Sequence, residues 1–86
     1  MDLETFLLNL KSLFSDILIS GVKYIPMSLI KKIKIYSEKA KDYNLLVLYN
    51  LITKFIEETA SRIKIFVDIS IYLDIAILEY DGIVID

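Results

Sequence analysis

The feature that most constrains the fold of this chain is a strict alternation of residues between positions 63 and 77. Every odd-numbered position in this range is apolar, and the even-numbered positions carry a mixed set that includes Lys64, Asp68 and Asp74. Alternation with a period of two is typical of a half-buried β-strand, whose successive side chains point to opposite faces of a sheet. The pattern therefore predicts one long strand over 63–77.

The residue types in this region also favour a strand. Residues 1–60 contain 11 Leu and 8 Ile, whereas residues 61–86 contain 2 Leu and 8 Ile. β-branched side chains suit a pleated surface and lose rotamer freedom in a helix. Asp81-Gly82 then separates two apolar-rich runs, which is a strong signal for a β-hairpin. We therefore expect an α+β protein in which three helices precede a long strand and a terminal hairpin.

A helix over the same segment is the alternative. A helical stripe can be drawn through Ile65, Ile69 and Leu73, with Gly82 as the residue that ends the helix. The charged residues would then be scattered among exposed apolar ones. In this interpretation the chain is an all-α bundle with a long third helix over 45–80.

The part of the chain before this segment predicts three helices, over about 3–24, over about 27–42, and from about 45 to at least 61. Asp2 is a suitable N-cap for the first helix. Pro26 separates the first two, because the residue before proline is biased away from helix whereas proline suits a helix's first turn. Asn44 is expected to cap the third helix.

The chain's length and composition predict one small domain with more apolar surface than it can bury. Residues 1–86 are enough for a single core, with a helical part over 1–61 and a strand or a helix extension over 62–86. Hydrophobic residues make up 56% of the chain, above the roughly 45–50% usual in globular domains. Exposed apolar patches mark contacts with other proteins or with membranes.

Signals for membrane insertion or export are not found. The longest uncharged run, residues 43–53, has eleven residues, whereas a membrane span needs about 20. The stretch "MDLETFLLNL" has acidic residues before its apolar run and does not predict a signal peptide. The chain has no cysteine, so we expect a cytoplasmic protein without disulfides.

The absence of His and Cys removes several classes of site. The usual structural zinc sites and the Ser-His-Asp and Cys-His nucleophilic sites all require them. Glu57 and Glu58 are adjacent and point about 100° apart on a helix. Asp68 and Asp74 would lie about 20 Å apart on a strand, too far for paired catalytic carboxylates. We therefore predict no enzymatic activity, no cofactor and no metal site.

A set of apolar residues is predicted to contact a partner protein. It comprises Leu8, Ile19 and Val22 on the polar side of the first helix, and Ile65, Val67, Ile69 and Ile71 on the long strand. The hairpin pairs with only part of this strand, and natural proteins do not leave a long strand edge unpaired. The sequence thus predicts a non-catalytic association module, either a homodimer or a small accessory subunit of a larger intracellular assembly.

Nucleic-acid binding is the alternative function. It would use the lysines of the second helix: Lys31, Lys32, Lys34, Lys39 and Lys41. Residues 23–41 carry six Lys and one Glu, a net charge of +5, whereas residues 66–86 carry five acids and no base. A basic helix can also lie on an anionic membrane, but the overall net charge of −2 argues against it, and membrane binding is not expected.

Two segments, "IPMSLIKKIKIY" and "SRIKIF", resemble the helical domain of archaeal GINS replication-factor subunits. The matching residues are Pro26, Tyr36, Arg62, Lys64 and Ile65, and the resemblance covers about half of the chain. It implies a non-catalytic scaffold at a replication fork and a helical end segment. The chain's lack of Gln and its three Asn are consistent with a thermophilic source, because thermophilic proteins contain few thermolabile residues.

Overall fold

The computed structural model describes residues 2–22 and 24–80, which contain helices and no strand. The helices are α1 (Leu3–Ser20), α2 (Met27–Asp42), α3 (Leu46–Glu57) and α4 (Arg62–Tyr80), with a 3₁₀ turn at Thr59–Ser61 before α4. The α+β prediction is therefore wrong, and the protein is a small all-helical bundle. The hairpin predicted at Asp81-Gly82 lies outside the described residues.

The four helices form an up-down-up-down bundle. α2 packs on α3, α3 on α4, and α4 on α1. Phe6, near the start of α1, contacts Tyr43 just after the end of α2, with ring centroids 5.2 Å apart. Phe14 in the second half of α1 contacts Phe66 near the start of α4, whereas Lys11, earlier in α1, pairs with Asp74 near the end of α4. These contacts show that α1 runs antiparallel to both of its neighbours, as in other bundles with short connections.

The core lies between the four helices and is made of aliphatic and aromatic side chains. The largest fully buried ones are Phe6, Leu10, Ile17, Ile33, Leu48, Ile52, Phe55, Ile69 and Leu73. Phe14, Phe55 and Phe66 join α1, α3 and α4, with ring centroids 5.2, 5.8 and 6.3 Å apart. These separations fall within the range of favourable aromatic pairs.

Helix α1 begins at its predicted cap and ends earlier than expected. The Asp2 carboxylate accepts a hydrogen bond of 2.7 Å from the Thr5 N–H, which satisfies one of the amides left unpaired at a helix start. At the other end, Gly21 has a φ of 110° and its N–H donates to the Ile17 carbonyl. This conformation favours glycine. The helix therefore ends at residue 20 although the apolar spacing continues to 24.

Helix α2 spans the predicted residues 27–42 and ends in a Schellman motif. The Asn44 N–H donates to the Lys41 carbonyl, and the Leu45 N–H donates to the Ala40 carbonyl. Asn44 has a φ of 62°, a left-handed conformation that asparagine tolerates. It therefore ends α2 and does not provide the predicted cap of α3.

The third predicted helix is broken in two by a turn at Glu58, where φ is −101° and ψ is 82°. The buried Arg62 side chain lies against this turn. Its Nε donates to the Phe55 carbonyl at 2.8 Å, and its Nη2 donates to the Ile56 carbonyl at 3.0 Å. These bonds satisfy carbonyls that a helix end leaves unpaired, and a cation is favourable there. The alternative interpretation is thus confirmed in its all-helical class, but its single helix over 45–80 is wrong.

The alternation that predicted a strand is accommodated in α4 as two stripes. Residues four apart in a helix lie about one turn apart on the same side, so a pattern of period two divides into two series of period four. The inner stripe, Ile65, Ile69, Leu73 and Ile77, packs in the core. The outer stripe, Ile63, Val67, Ile71 and Ile75, is exposed. The predicted strand over 63–77, and its unpaired edge, are absent.

Candidate protein-contact surface

The outer stripe is an apolar surface that runs along most of α4. The exposed fractions of its side chains are 65% for Ile63, 49% for Val67, 54% for Ile71 and 51% for Ile75. Leu78 is exposed one turn further on. A surface helix normally carries polar residues opposite its core face, and a helix that is apolar on all sides is normally buried. α4 departs from this rule, because an apolar row lies among charged residues on its solvent side.

Helix α1 extends this surface. Leu8, Leu18 and Ile19 are exposed on it, and Leu18 lines a groove of about 120 Å³ between α1 and α4, together with Ser15 and Ser70. On α4 the groove is lined by Phe66, Ser70, Leu73 and Asp74 and not by the outer stripe, so it lies between the two apolar parts of the surface that these helices share. We call this surface, made of the outer stripe with Leu8, Leu18 and Ile19, the α1–α4 face.

One ion pair lies across the α1–α4 face. The Lys11 Nζ is 2.9 Å from the Asp74 Oδ1, and the two side chains are 54% and 57% exposed. Exposed pairs of this kind contribute about 0–1 kcal/mol and are screened by salt. The α1–α4 face is therefore mainly apolar. A partner that covers it would also have to contact or surround these two charged side chains.

The residues predicted as partner contacts fall into three groups. Leu8, Ile19, Val67 and Ile71 are exposed on the α1–α4 face, Val22 is half-buried against the core, and Ile65 and Ile69 are buried in it. The choice of Ile65 and Ile69 followed from the strand interpretation, in which a free backbone edge makes every residue a contact. In a helix, these two residues belong to the inner stripe.

The structure adds contact candidates that are not among the partner residues named from the sequence. Ile63, Ile75 and Leu18 are exposed, and all three lie on the α1–α4 face. The signal for Ile63 and Ile75 is present in the sequence, because an apolar residue recurs every four positions from 63 to 75. It is visible only when this segment is drawn as a helix.

The five lysines predicted to bind nucleic acid are exposed on α2 but do not form one row. Their positions cover about half of the helix circumference. Lys32 lines the groove between α1 and α2, and Lys34 lines the groove between α2 and α3. The Lys41 Nζ lies 5.6 Å from the centroid of the Tyr49 ring. Acidic residues, Glu38 and Asp42, lie among them, so the lysines do not form a continuous basic strip.

The pKa values of Asp2 and Tyr72 are shifted, and each shift has a structural cause. The hydrogen bond from the Thr5 N–H lowers the pKa of Asp2, which is the cap of α1. Burial raises the pKa of Tyr72, and the nearby charge of Glu79 acts in the same direction. Within residues 2–22 and 24–80, no acidic cluster could hold a metal ion, and no helix is both long enough and apolar enough to cross a membrane.

Covering the outer stripe is energetically favourable. Full burial of an aliphatic side chain contributes about 1.5–3 kcal/mol, so burial of the remaining half contributes about 1 kcal/mol for each residue. Four such residues on each of two copies contribute about 8 kcal/mol, which is similar to the cost of association, about 4–15 kcal/mol. The outer stripe therefore supports weak association by itself, and stable association requires the α1 part of the face as well.

The fold and this surface define a small four-helix bundle that exposes an apolar face. No family model matches the chain, and neither the curated proteins nor the solved structures give a significant match. The resemblance to the GINS subunits thus has no support from a family match. One of its matching residues, Arg62, has a structural role in this protein, since it caps the end of α3.

Proposed function

We propose that this protein is a non-catalytic association module that contacts another protein through the α1–α4 face. The observation that carries this proposal is the outer stripe, an apolar row on the solvent side of a helix whose other side forms the core. In this proposal the protein is cytoplasmic, and it acts as a homodimer or as a small subunit of a larger assembly.

A comparison with α2 supports this assignment. The exposed side of α2 is mainly charged, and Ile35 is an exposed apolar residue with lysines around it. Single exposed apolar residues are normal on protein surfaces. The outer stripe differs because its four members follow one another over successive turns of α4. Continuity over several turns is typical of helices that bind a partner by an apolar face.

The experiment that tests this function compares three tagged proteins: the unchanged chain, the V67E/I71E variant and an I35E control. Each is used to retain proteins from native cells at moderate salt. We expect the unchanged chain and the I35E control to retain the same protein, which can be an untagged copy of this chain. The V67E/I71E variant should lose it, because charge at the centre of an apolar contact is strongly unfavourable. Retention of the same proteins by all three would contradict the proposal.

Nucleic-acid binding by α2 remains the alternative prediction. It requires salt-sensitive binding of DNA or RNA that is lost in the K31E/K32E/K34E variant, because phosphate contacts by lysine release counterions. Fluorescence anisotropy with labelled oligonucleotides measures this directly. Binding that is equally strong in the variant and in the unchanged chain would remove the alternative. The replication-scaffold role implied by the GINS resemblance is one form of the association proposed above.

A further inference from the structure

We propose that the connection between α3 and α4 is a hinge with two states, and that its extended state joins two copies of this chain by exchange of α4. In the closed state described above, α4 folds back on α3 and α1 of its own chain. In the extended state, α3 and α4 lie in line, and α4 packs in the same way on the other copy. The exchanged contacts are those of the inner stripe, so this inference goes beyond the proposed function and does not depend on it.

The connection between α3 and α4 lacks the residues that interrupt the helices elsewhere in the bundle. Gly21, with a φ of 110°, ends α1, and Asn44, with a φ of 62°, ends α2. Residues 58–61 are Glu, Thr, Ala and Ser, without a glycine or a proline. Residues of these types can continue a helix. The first two connections are therefore fixed by the conformation of their own residues, whereas the third is compatible with a continuous helix.

The carbonyls at the end of α3 find a donor in both states. In the closed state the Arg62 side chain donates to the Phe55 and Ile56 carbonyls at 2.8 and 3.0 Å. In a continuous helix two backbone N–H groups of the turn donate to the same carbonyls, because each N–H bonds the carbonyl four residues earlier. Arg62 then lies one turn after Glu58, which is the favourable order for an acidic and a basic residue. The bonds from Arg62 thus stabilise the closed state specifically.

The core residues of α3 and α4 fall on one side of a straight helix. When the helix is continued through the turn at 100° per residue, the largest fully buried side chains of α3 and α4 lie within a sector of about 100°. These side chains are Leu48, Ile52, Phe55, Ile69 and Leu73. Two helices joined by an irregular turn need not have this common phase. The extended α3–α4 helix therefore has one core side, and each half can enter a different bundle.

Exchange of α4 preserves the core contacts of the closed state. α4 is the last helix that the structure describes, and it packs on α3 and α1. The same side chains meet in the exchanged pair, so the two states differ mainly at the turn and in the freedom that is lost on association. Domain swapping of this kind is a low-cost route to a dimer, and changes in a short hinge promote it. We therefore expect the closed state at low concentration and the exchanged dimer at high concentration.

Two hinge variants act in opposite directions. T59P places proline at the first residue of the 3₁₀ turn, after Glu58, whose φ of −101° and ψ of 82° lie outside the helical region. Proline suits this place, but it interrupts a continuous helix. R62M removes the side-chain donors of the closed state. T59P should therefore keep the closed state, and R62M should favour the extended one.

Refolding from urea at micromolar and at millimolar concentration, followed by size-exclusion chromatography after dilution, measures the exchange. We expect the unchanged chain to be a monomer after refolding at micromolar concentration and to contain a dimer after refolding at millimolar concentration. The dimer-to-monomer ratio of R62M should be about tenfold higher, and T59P should stay monomeric. Circular dichroism checks that each variant is folded.

A distance within one chain shows whether α4 has been exchanged. The chain contains no cysteine of its own, so N50C/D74C takes two spin labels at exposed positions of α3 and α4. The labelled chain is refolded in an excess of unlabelled chain, and electron paramagnetic resonance measures the separation of the labels. Residues 50 and 74 are about 36 Å apart along a continuous helix. In the closed state they lie on neighbouring helices, whose axes are about 8–10 Å apart. We expect the long distance in the dimer and the short one in the monomer.

Three results would overturn the hinge: a dimer in which the labels stay close, a T59P variant that forms the dimer as readily as the unchanged chain, or a monomer at every concentration in both the unchanged chain and R62M. V67E/I71E separates this inference from the proposed function. Because the outer stripe is not exchanged, this variant should form the exchanged dimer like the unchanged chain. Failure of the exchange would leave the proposed function intact.

Discussion

The two stripes of α4 have nearly the same residues and the same spacing, yet they have opposite environments. Ile69 of the inner stripe is fully buried, whereas Ile71 of the outer stripe is 54% exposed. The difference arises from the neighbours, because Phe66 of α4 contacts Phe14 and Phe55 and thereby turns one side of the helix toward α1 and α3. Residue type and period therefore indicate that a surface is apolar, and long-range contacts decide whether it becomes core.

We propose that this difference separates two tasks within one helix. The inner stripe contributes to the stability of the monomer, and the outer stripe is available for contact between chains. Changes in the inner stripe should therefore alter the free energy of unfolding, and changes in the outer stripe should alter association. The following predictions test this separation.

The largest effect is expected from truncation of the inner stripe. Ile69→Ala should lower the free energy of unfolding by about 2–5 kcal/mol, because it leaves a cavity in a packed core. Ile71→Ala is the matched control in the outer stripe and should change it by less than about 0.5 kcal/mol. Urea denaturation at low protein concentration measures both. An equal decrease in the free energy of unfolding for the two variants would contradict the claim that only the inner stripe forms the core.

A smaller loss is expected from Arg62, which fixes the turn that brings α4 back along α3. Arg62→Met removes two hydrogen bonds from a charged group to the Phe55 and Ile56 carbonyls, and the free energy of unfolding should fall by about 2–3 kcal/mol. Arg62→Lys keeps the charge but cannot form the same planar fork, so its loss should be intermediate. Unchanged stability in both variants would contradict the capping role.

The smallest effect is expected at the start of α1, far from the centre of both stripes. The pKa of Asp2 is lowered in the folded protein by the Thr5 N–H. Its contribution to stability is therefore present above its ordinary pKa and is lost as the pH falls through the lowered value. Asp2→Asn keeps a cap without this titration. As the pH is lowered from neutral to acidic, the melting temperature should fall less for the variant than for the unchanged chain. Identical dependence of the melting temperature on pH in the two proteins would contradict this assignment.

The parts of the fold that depend on local signals could be predicted from the sequence. The Asp2 cap and the boundaries of α2 were predicted correctly, because the residues that set them act on backbone groups only a few positions away in the sequence. The turn at Glu58 was not, because it depends on Arg62 reaching back to α3. The segment 63–77 was misinterpreted because a period of two contains two periods of four, and local sequence cannot distinguish a two-faced strand from a helix that is apolar on both sides.

The candidate surface was predicted only in part, and partly for the wrong reason. Val67 and Ile71 were chosen as members of a strand edge, and they lie in the outer stripe of a helix. Ile65 and Ile69 were chosen by the same argument and are buried. The excess of apolar residues correctly indicated that some apolar surface remains exposed, but its location required the helix packing.

Nuclear magnetic resonance on dilution is the most direct test of the claim that the outer stripe is a contact surface. Amide chemical shifts of the unchanged chain are followed from millimolar to micromolar concentration. We predict that shifts change along 63–78 and on the neighbouring side of α1, and that the amides of α2 stay constant. Constant shifts throughout the chain would contradict self-association through this face, and changes centred on α2 would contradict the assignment of the outer stripe as the contact surface.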